Sequence, residues 1–317
     1  MPESPIRKLA PLAEAAKERG IHVYHLNIGQ PDLPTPRAAL DAIRNIDRKV
    51  LEYSPSQGYR SYRERLVGYY EKYDIHLDAD DIIITTGGSE AVLFAFMSCL
   101  NPGDEIIVPE PAYANYMAFA ISAGAIIRTV TTTIDEGFSL PKVEKFEELI
   151  NERTKGILIC NPNNPTGALY PKEILEQIVQ VARENDLILF ADEIYDRLVM
   201  QGEPEHIALA SLAPDLLTLC FNGLSKSHRV AGFRVGWVCL AGDKSHAKGY
   251  IEGLNLLAKM RLCSNVPAQS IIQTSLGGYQ SVDEYLCPGG RLYEQRELIW
   301  KTLNSIPGLS AAKPKAA

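Results

Sequence analysis

The sequence predicts an α/β fold of three layers, a mostly parallel sheet with helices on both faces. Three observations carry that expectation. From about residue 80 the chain alternates short strands with helices, the strands are almost wholly apolar, and polar or turn-forming clusters follow directly after them. A strand buried on both faces reads as a continuous hydrophobic run, which is what a parallel sheet covered by helices needs.

The elements follow in order. The first 45 residues mix turn-rich sequence with short helices. Thr35 before Pro36 reads as a helix start, since a threonine hydroxyl can cap and proline suits the first helical position. Ser61 and Glu64 have the spacing of a capping box for a helix reaching about Tyr70. Residues 81–86 (DIIITT) make the first strand, and 89–100 a largely apolar, buried helix. Strands at 106–109 and 125–131 come next. Phe146, Leu149 and Ile150 give a further helix one apolar face. Residues 156–160 (GILIC) are a strand, and 171–184 a helix with Ile174, Ile178 and Ala182 on one side. Strands at 187–191, 217–221 and 235–240 complete the set.

Composition removes several classes of function. The 317 residues carry 32 Lys and Arg against 39 Asp and Glu, a net charge of −7, with no basic run. A nucleic-acid groove, which needs clustered cations against phosphates, is therefore not expected. No apolar stretch approaches the ~18–20 residues of a membrane span, and the N-terminus lacks the apolar core of a signal peptide. The six cysteines contain no CxxC and suggest neither a zinc ribbon nor a disulfide framework. The six histidines show no HExxH spacing, so no metal site is expected. The expected setting is the reducing cytoplasm.

In parallel α/β sheets ligands collect beyond the carboxyl ends of the strands. Four polar clusters lie there: Gly87-Gly88-Ser89, residues 161–167 (NPNNPTG), residues 192–195 (DEIY) and Ser225-Lys226. A glycine turn opening a helix exposes N–H groups at the positive end of the helix dipole, a seat for phosphate. A plain turn is the simpler reading of those three residues alone, and a rigid loop that of 161–167. Asp192-Glu193 without a phosphate-binding glycine loop is an improbable metal pair. Ser225 lacks the final glycine of the hydrolase elbow G-x-S-x-G. Lys226, between an apolar strand and glycine-rich sequence, has a setting in which partial burial makes an amine nucleophilic.

Together these pieces resemble one family. NPNNPTG at 161–167, ADEIY at 191–195 and Ser225-Lys226 followed by Gly232-Phe233-Arg234-Val235-Gly236-Trp237 match class I/II aminotransferases in order and spacing. Those are pyridoxal-phosphate enzymes of fold type I. The segments 27–32 (NIGQPD) and 53–58 (YSPSQG) match as well, so the resemblance covers essentially the whole chain. It implies that Lys226 forms the Schiff base with pyridoxal 5'-phosphate and then serves as acid and base. It implies that Asp192 pairs with the pyridinium nitrogen, that Tyr195 and Asn164 bond the phenolic oxygen, and that Arg234 clamps the phosphate. Gly88, Ser89 and Ser225 would add donors there, although some relatives carry a serine where this chain has Gly223. Tyr113 would stack on the cofactor, and Gly29 and Asn164 would meet the substrate. Tyr53 would reach the neighbouring subunit's phosphate, which implies a homodimer.

The implied organisation is an N-terminal segment at 1–45, a large cofactor-binding domain at 46–260, and the start of a smaller α+β domain at 261–317. Family members continue beyond the position of Ala317, and that continuation holds the arginine for the substrate α-carboxylate. The expected activity is transfer of an amino group between an amino acid of aspartate, alanine or glutamate type and a 2-oxo acid. Residues 1 to about 190 look like the aspartate enzymes, and later segments such as 221–226 and 246–253 like the alanine enzymes. A β-lyase or decarboxylase on the same scaffold, or a shortened cofactor-binding protein with little turnover, are the alternatives.

Overall fold

The computed structural model describes residues 7–26 and 29–317; Asn27 and Ile28 of the NIGQPD segment lie outside them. The helices are α1 (Ala10–Glu18), α2 (Arg37–Arg44), α3 (Arg60–Tyr70), α4 (Gly88–Cys99), α5 (Asn115–Ala123), α6 (Glu144–Glu147), α7 (Lys172–Glu184), α8 (Lys248–Met260), α9 (Val266–Gln269), α10 (Ile271–Gly277), α11 (Asp283–Leu286) and α12 (Arg291–Ser305). The strands are β1 (Ile82–Thr85), β2 (Glu105–Glu110), β3 (Ile126–Thr131), β4 (Thr154–Cys160), β5 (Ile188–Asp192), β6 (Thr218–Gly223) and β7 (Gly236–Ala241).

They form one sheet in the order β1-β7-β6-β5-β4-β2-β3. Strands β2 to β6 run parallel, whereas β7 is antiparallel to both neighbours, β1 and β6. Side chains alternate across the sheet with the two-residue period of a strand. Ile84, Ile157, Ile159, Leu189, Ala191 and Cys220 belong to the core on one face, with side chains of α3, α7 and α10. Ile83, Leu158, Phe190, Leu219 and Phe221 belong to the core on the other, with α4, α5 and α8. Both faces are buried, as the continuous apolar runs require.

Three local expectations are corrected. Helix α2 begins at Arg37, one residue after Pro36, and the Thr35 hydroxyl donates to the Arg229 carbonyl at 2.8 Å instead of capping. Ser61 makes no capping box: α3 begins at Arg60, Glu64 pairs with Arg60 at 2.9 Å, and the Tyr59 N–H is taken by the Gln269 side chain at 3.0 Å. Of Phe146, Leu149 and Ile150, only Phe146 lies in a helix, the single turn α6; Leu149 and Ile150 follow its end.

Because β1 and β6 share a direction and β7 opposes them, one sheet edge collects the ends of β1, β4, β5 and β6 and the start of β7. The glycine turn before α4, the NPNNPTG loop, Asp192, Lys226 and Arg234 all sit along that edge.

Candidate active site

Two adjoining cavities open there, sharing Asn164, Tyr195 and Lys226 in their walls. The smaller, about 180 Å³, is also lined by Gly88, Ser89, Tyr113, Asp192, Ser225 and Arg234. The larger, about 480 Å³, is lined by Gly29 together with residues from the NPNNPTG loop and from the last residues of the chain. The residues that the family resemblance implicates thus line these two cavities, except Tyr53, which is 77% exposed on the surface.

Asp192 ends β5 and is buried. Burial pushes its carboxyl up; the Tyr116 hydroxyl and the Ile194 N–H (3.2 Å), both donating to it, and the Lys226 charge pull it back. Lys226 is half-buried, and its Nζ donates to the Gly29 carbonyl. Burial and the neighbouring Arg234 cation hold that amine below its ordinary range, while Asp192 works in the opposite direction. The result is an amine more easily deprotonated than a surface lysine, 5.8 Å from the centre of the Tyr195 ring. The Asn164 amide donates to the Tyr195 hydroxyl at 3.2 Å, and burial pushes that phenol up, keeping its proton. Tyr113 forms the flank: its ring meets Tyr116 edge-on at 5.4 Å, and its hydroxyl accepts from the Asn115 amide at 2.7 Å.

Arg234 adopts a left-handed backbone (φ 55°) between a helical turn and β7. Among the described residues its guanidinium donates only to neutral acceptors, the Ala231 carbonyl at 3.0 Å, the Ser225 hydroxyl at 3.4 Å and the Thr86 carbonyl at 3.5 Å. It lies against Gly87 (φ +80°), where a Cβ would stand 2.2 Å from Nη2. Gly236 is likewise required, since a Cβ there would stand 2.4 Å from the Gly87 backbone. Beside this uncompensated cation begins α4, whose first N–H groups have no partner within the helix. A cation and a helix N-terminus converging on a glycine turn make a seat for an anion.

Residues 21–317 match the family model of aminotransferase class I and II. The chain belongs to the class I and II aminotransferases. It is 47% identical over 312 residues to the glutamate-pyruvate aminotransferase AlaA of Escherichia coli K12, covering 96% of this chain and 76% of that protein. It is 31% identical over 308 residues to the aspartate/prephenate aminotransferase of Thermus thermophilus, covering 95% and 76%. The solved alanine aminotransferase of Pyrococcus furiosus superposes with a TM-score of 0.94 at 35% identity, covering 99% of this chain and 80% of that one. The protein is a transaminase, acting between amino acids and 2-oxo acids, and these relatives favour that reaction over the β-lyase and decarboxylase alternatives. The family is generally pyridoxal-phosphate dependent.

The sequence reading missed Tyr116, whose hydroxyl holds Asp192. A tyrosine inside the otherwise apolar NYMAFAISA helix looks like core packing. Its buried hydroxyl, which needs a partner, was the available signal. It also missed Asp196, four residues past Asp192 in the turn after β5, which is buried and accepts from Tyr69, from Tyr73 at 3.3 Å and from Asn222 at 3.1 Å. Glu193 turns away from the cavity and accepts the Leu209 N–H at 2.8 Å.

Proposed function

We propose that this protein is a glutamate–pyruvate (alanine) aminotransferase using pyridoxal 5'-phosphate held at Lys226. The observation that supports it most is the small cavity itself, whose wall combines a half-buried amine, a buried carboxylate and, beside a helix N-terminus, an arginine without an acidic partner among the described residues. Those groups fit the cofactor: Arg234, Gly88, Ser89 and Ser225 suit its phosphate, Lys226 its aldehyde, Asp192 its ring nitrogen, Tyr113 its ring face, and Tyr195 with Asn164 its phenolic oxygen. When bound, pyridoxal phosphate supplies an electron sink for the substrate α-carbon.

The chain's own residues do the rest. Lys226 Nζ, with its affinity for protons lowered by burial and Arg234, is suited to take the proton from the α-carbon and to return one. The Tyr116 hydroxyl and the Ile194 N–H favour the charged form of Asp192 against its burial, and in that form it would hold the ring nitrogen of the cofactor protonated. Tyr195 Oη, positioned by Asn164, offers a hydrogen bond from a phenol that stays protonated. Gly29 and Asn164, on the larger cavity, suit the substrate.

The donor and acceptor follow from the identity of 47% with a glutamate-pyruvate enzyme against 31% with an aspartate/prephenate enzyme. We read residues 46–260 as the cofactor-holding unit. A cytoplasmic homodimer fits the six unpaired cysteines and the exposed Leu12, Tyr24, Leu26, Val50, Tyr53 and Met260 side chains. Among the described residues no helix is long and apolar enough to cross a membrane. The test is to supply glutamate with pyruvate or with oxaloacetate to the cofactor-loaded protein. Alanine forming on the order of tenfold faster than aspartate is expected; the reverse order assigns the aspartate group instead.

A further inference from the structure

Arg229 has surroundings unusual for a buried cation. It lies three residues after Lys226 in the wall of the larger cavity, with Gly29, Asn164 and Tyr195. It is 6% exposed. Arginine stays protonated in protein interiors, and a buried charge is ordinarily matched by one of opposite sign. Here Nε donates to the Pro34 carbonyl at 3.0 Å and Nη2 to the Ser281 hydroxyl at 2.6 Å, both neutral. The guanidinium carbon stands 5.1 Å from the centre of the Tyr285 ring. Nη1 is buried with no hydrogen-bond partner among the described residues. Among the described residues no acid bonds it directly: Asp32, on the same wall, pairs with Arg291, and Glu284, which accepts from the Tyr279 hydroxyl, acts on Arg229 only through space.

The backbone points the same way. Arg229 is left-handed (φ 53°), a conformation that costs a non-glycine residue ~1–2 kcal/mol and that collects at functional sites. Its N–H donates to the Lys226 carbonyl at 3.1 Å, and its carbonyl accepts from Thr35. The guanidinium is thus fixed at two nitrogens in a turn that begins at the catalytic lysine, with the third left over.

We infer that Arg229 binds a carboxylate group of the amino-acid or 2-oxo-acid substrate, the ligand supplying the directly bonded counter-charge that the described residues do not. This rests on the reading of the larger cavity as the substrate site. No other described cation on that wall is free of an acid except Lys226, whose amine is committed to proton transfer.

The test measures binding of two inert acids, glutarate and propionate, by calorimetry to cofactor-loaded wild type, Arg229→Gln and Arg229→Lys. Arg229→Gln should weaken glutarate on the order of tenfold or more, and Arg229→Lys less, because a point charge replaces a planar fork. Cofactor absorbance should be the same in all three proteins. Loss of both acids assigns the carboxylate next to the amine-bearing carbon; loss of glutarate alone assigns the distal one. Wild type that binds the acids with Arg229→Gln binding equally well overturns the proposal and leaves the cavity reading intact. Wild type that binds neither acid overturns both. If Arg229→Gln does not fold, Arg229→Lys decides: glutarate weakened threefold or more supports the assignment, and unchanged affinity overturns it.

Discussion

Tyr116→Phe isolates one hydroxyl. The ring that packs edge-on against Tyr113 remains, and the hydroxyl loses its hydrogen bond to Asp192 and its contact with the buried Cys160 thiol. A hydrogen bond to a charged group is worth ~1.5–3 kcal/mol, and one pKa unit corresponds to about 1.4 kcal/mol. That bond favours the ionised carboxylate, so its loss should raise the Asp192 pKa further above a position already raised by burial. In the role proposed above Asp192 is ionised, so activity is expected to fall as pH drops through its pKa. The acid limb of the kcat/KM profile should therefore move to higher pH while the alkaline limb stays in place. Carbon-13 NMR titration of the carboxyl groups in the cofactor-free protein checks the shift without any turnover. An Asp192 titration that does not move, with an unmoved acid limb, would refute the argument that Tyr116 sets this charge.

Two further perturbations test the scaffold. Gly87→Ala strains a left-handed position by ~1–2 kcal/mol and drives a methyl into the Arg234 guanidinium, so affinity for pyridoxal phosphate, followed by fluorescence titration, should fall at least tenfold; unchanged affinity contradicts the cradle. The buried groups behind the site set a stability optimum: burial lowers His206 and His228 from 6.5 to about 4 and raises Glu193 from 4.5 to about 8. The histidines lose stability as pH falls from 6.5 to 4, and Glu193 as pH rises from 4.5 to 8, so these groups together favour a maximum near pH 6.5. Although His206 Nε2 lies 3.8 Å from Glu193, both are held neutral near that pH, so the contact is not an ion pair. Glu193→Gln keeps an acceptor for the Leu209 N–H and should remove the alkaline loss in urea melts between pH 6.5 and 8; a loss of equal size contradicts it.

What the sequence made legible was the layer order and the edge that carries the chemistry. Strands such as GILIC are apolar throughout because both faces are covered, and the residues after them are polar because that edge is open. Lys226, Asp192 and Arg234 each follow or precede a strand at that edge, which is why ordered motifs sufficed to find them. Contacts between residues far apart along the chain were not legible. Thr35 has the local form of a cap, but a carbonyl 194 positions away takes its hydroxyl, and Tyr59 finds its acceptor 210 positions on. Strand direction was hidden as well, because the apolar run of β7 reads the same whichever way it pairs. Tyr116 and Arg229 sit in stretches that look like core helix and surface turn, and only the fold reveals what their polar atoms face.

Lys226 as the attachment point of the cofactor is the claim on which the rest stands. The direct measurement is reduction of the pyridoxal-phosphate-loaded protein with borohydride, followed by proteolysis and mass analysis. The account predicts one pyridoxyl label, on the peptide containing Lys226, and its absence from Lys226→Ala. A label on another lysine, or a Lys226→Ala protein labelled to the same extent, would contradict it.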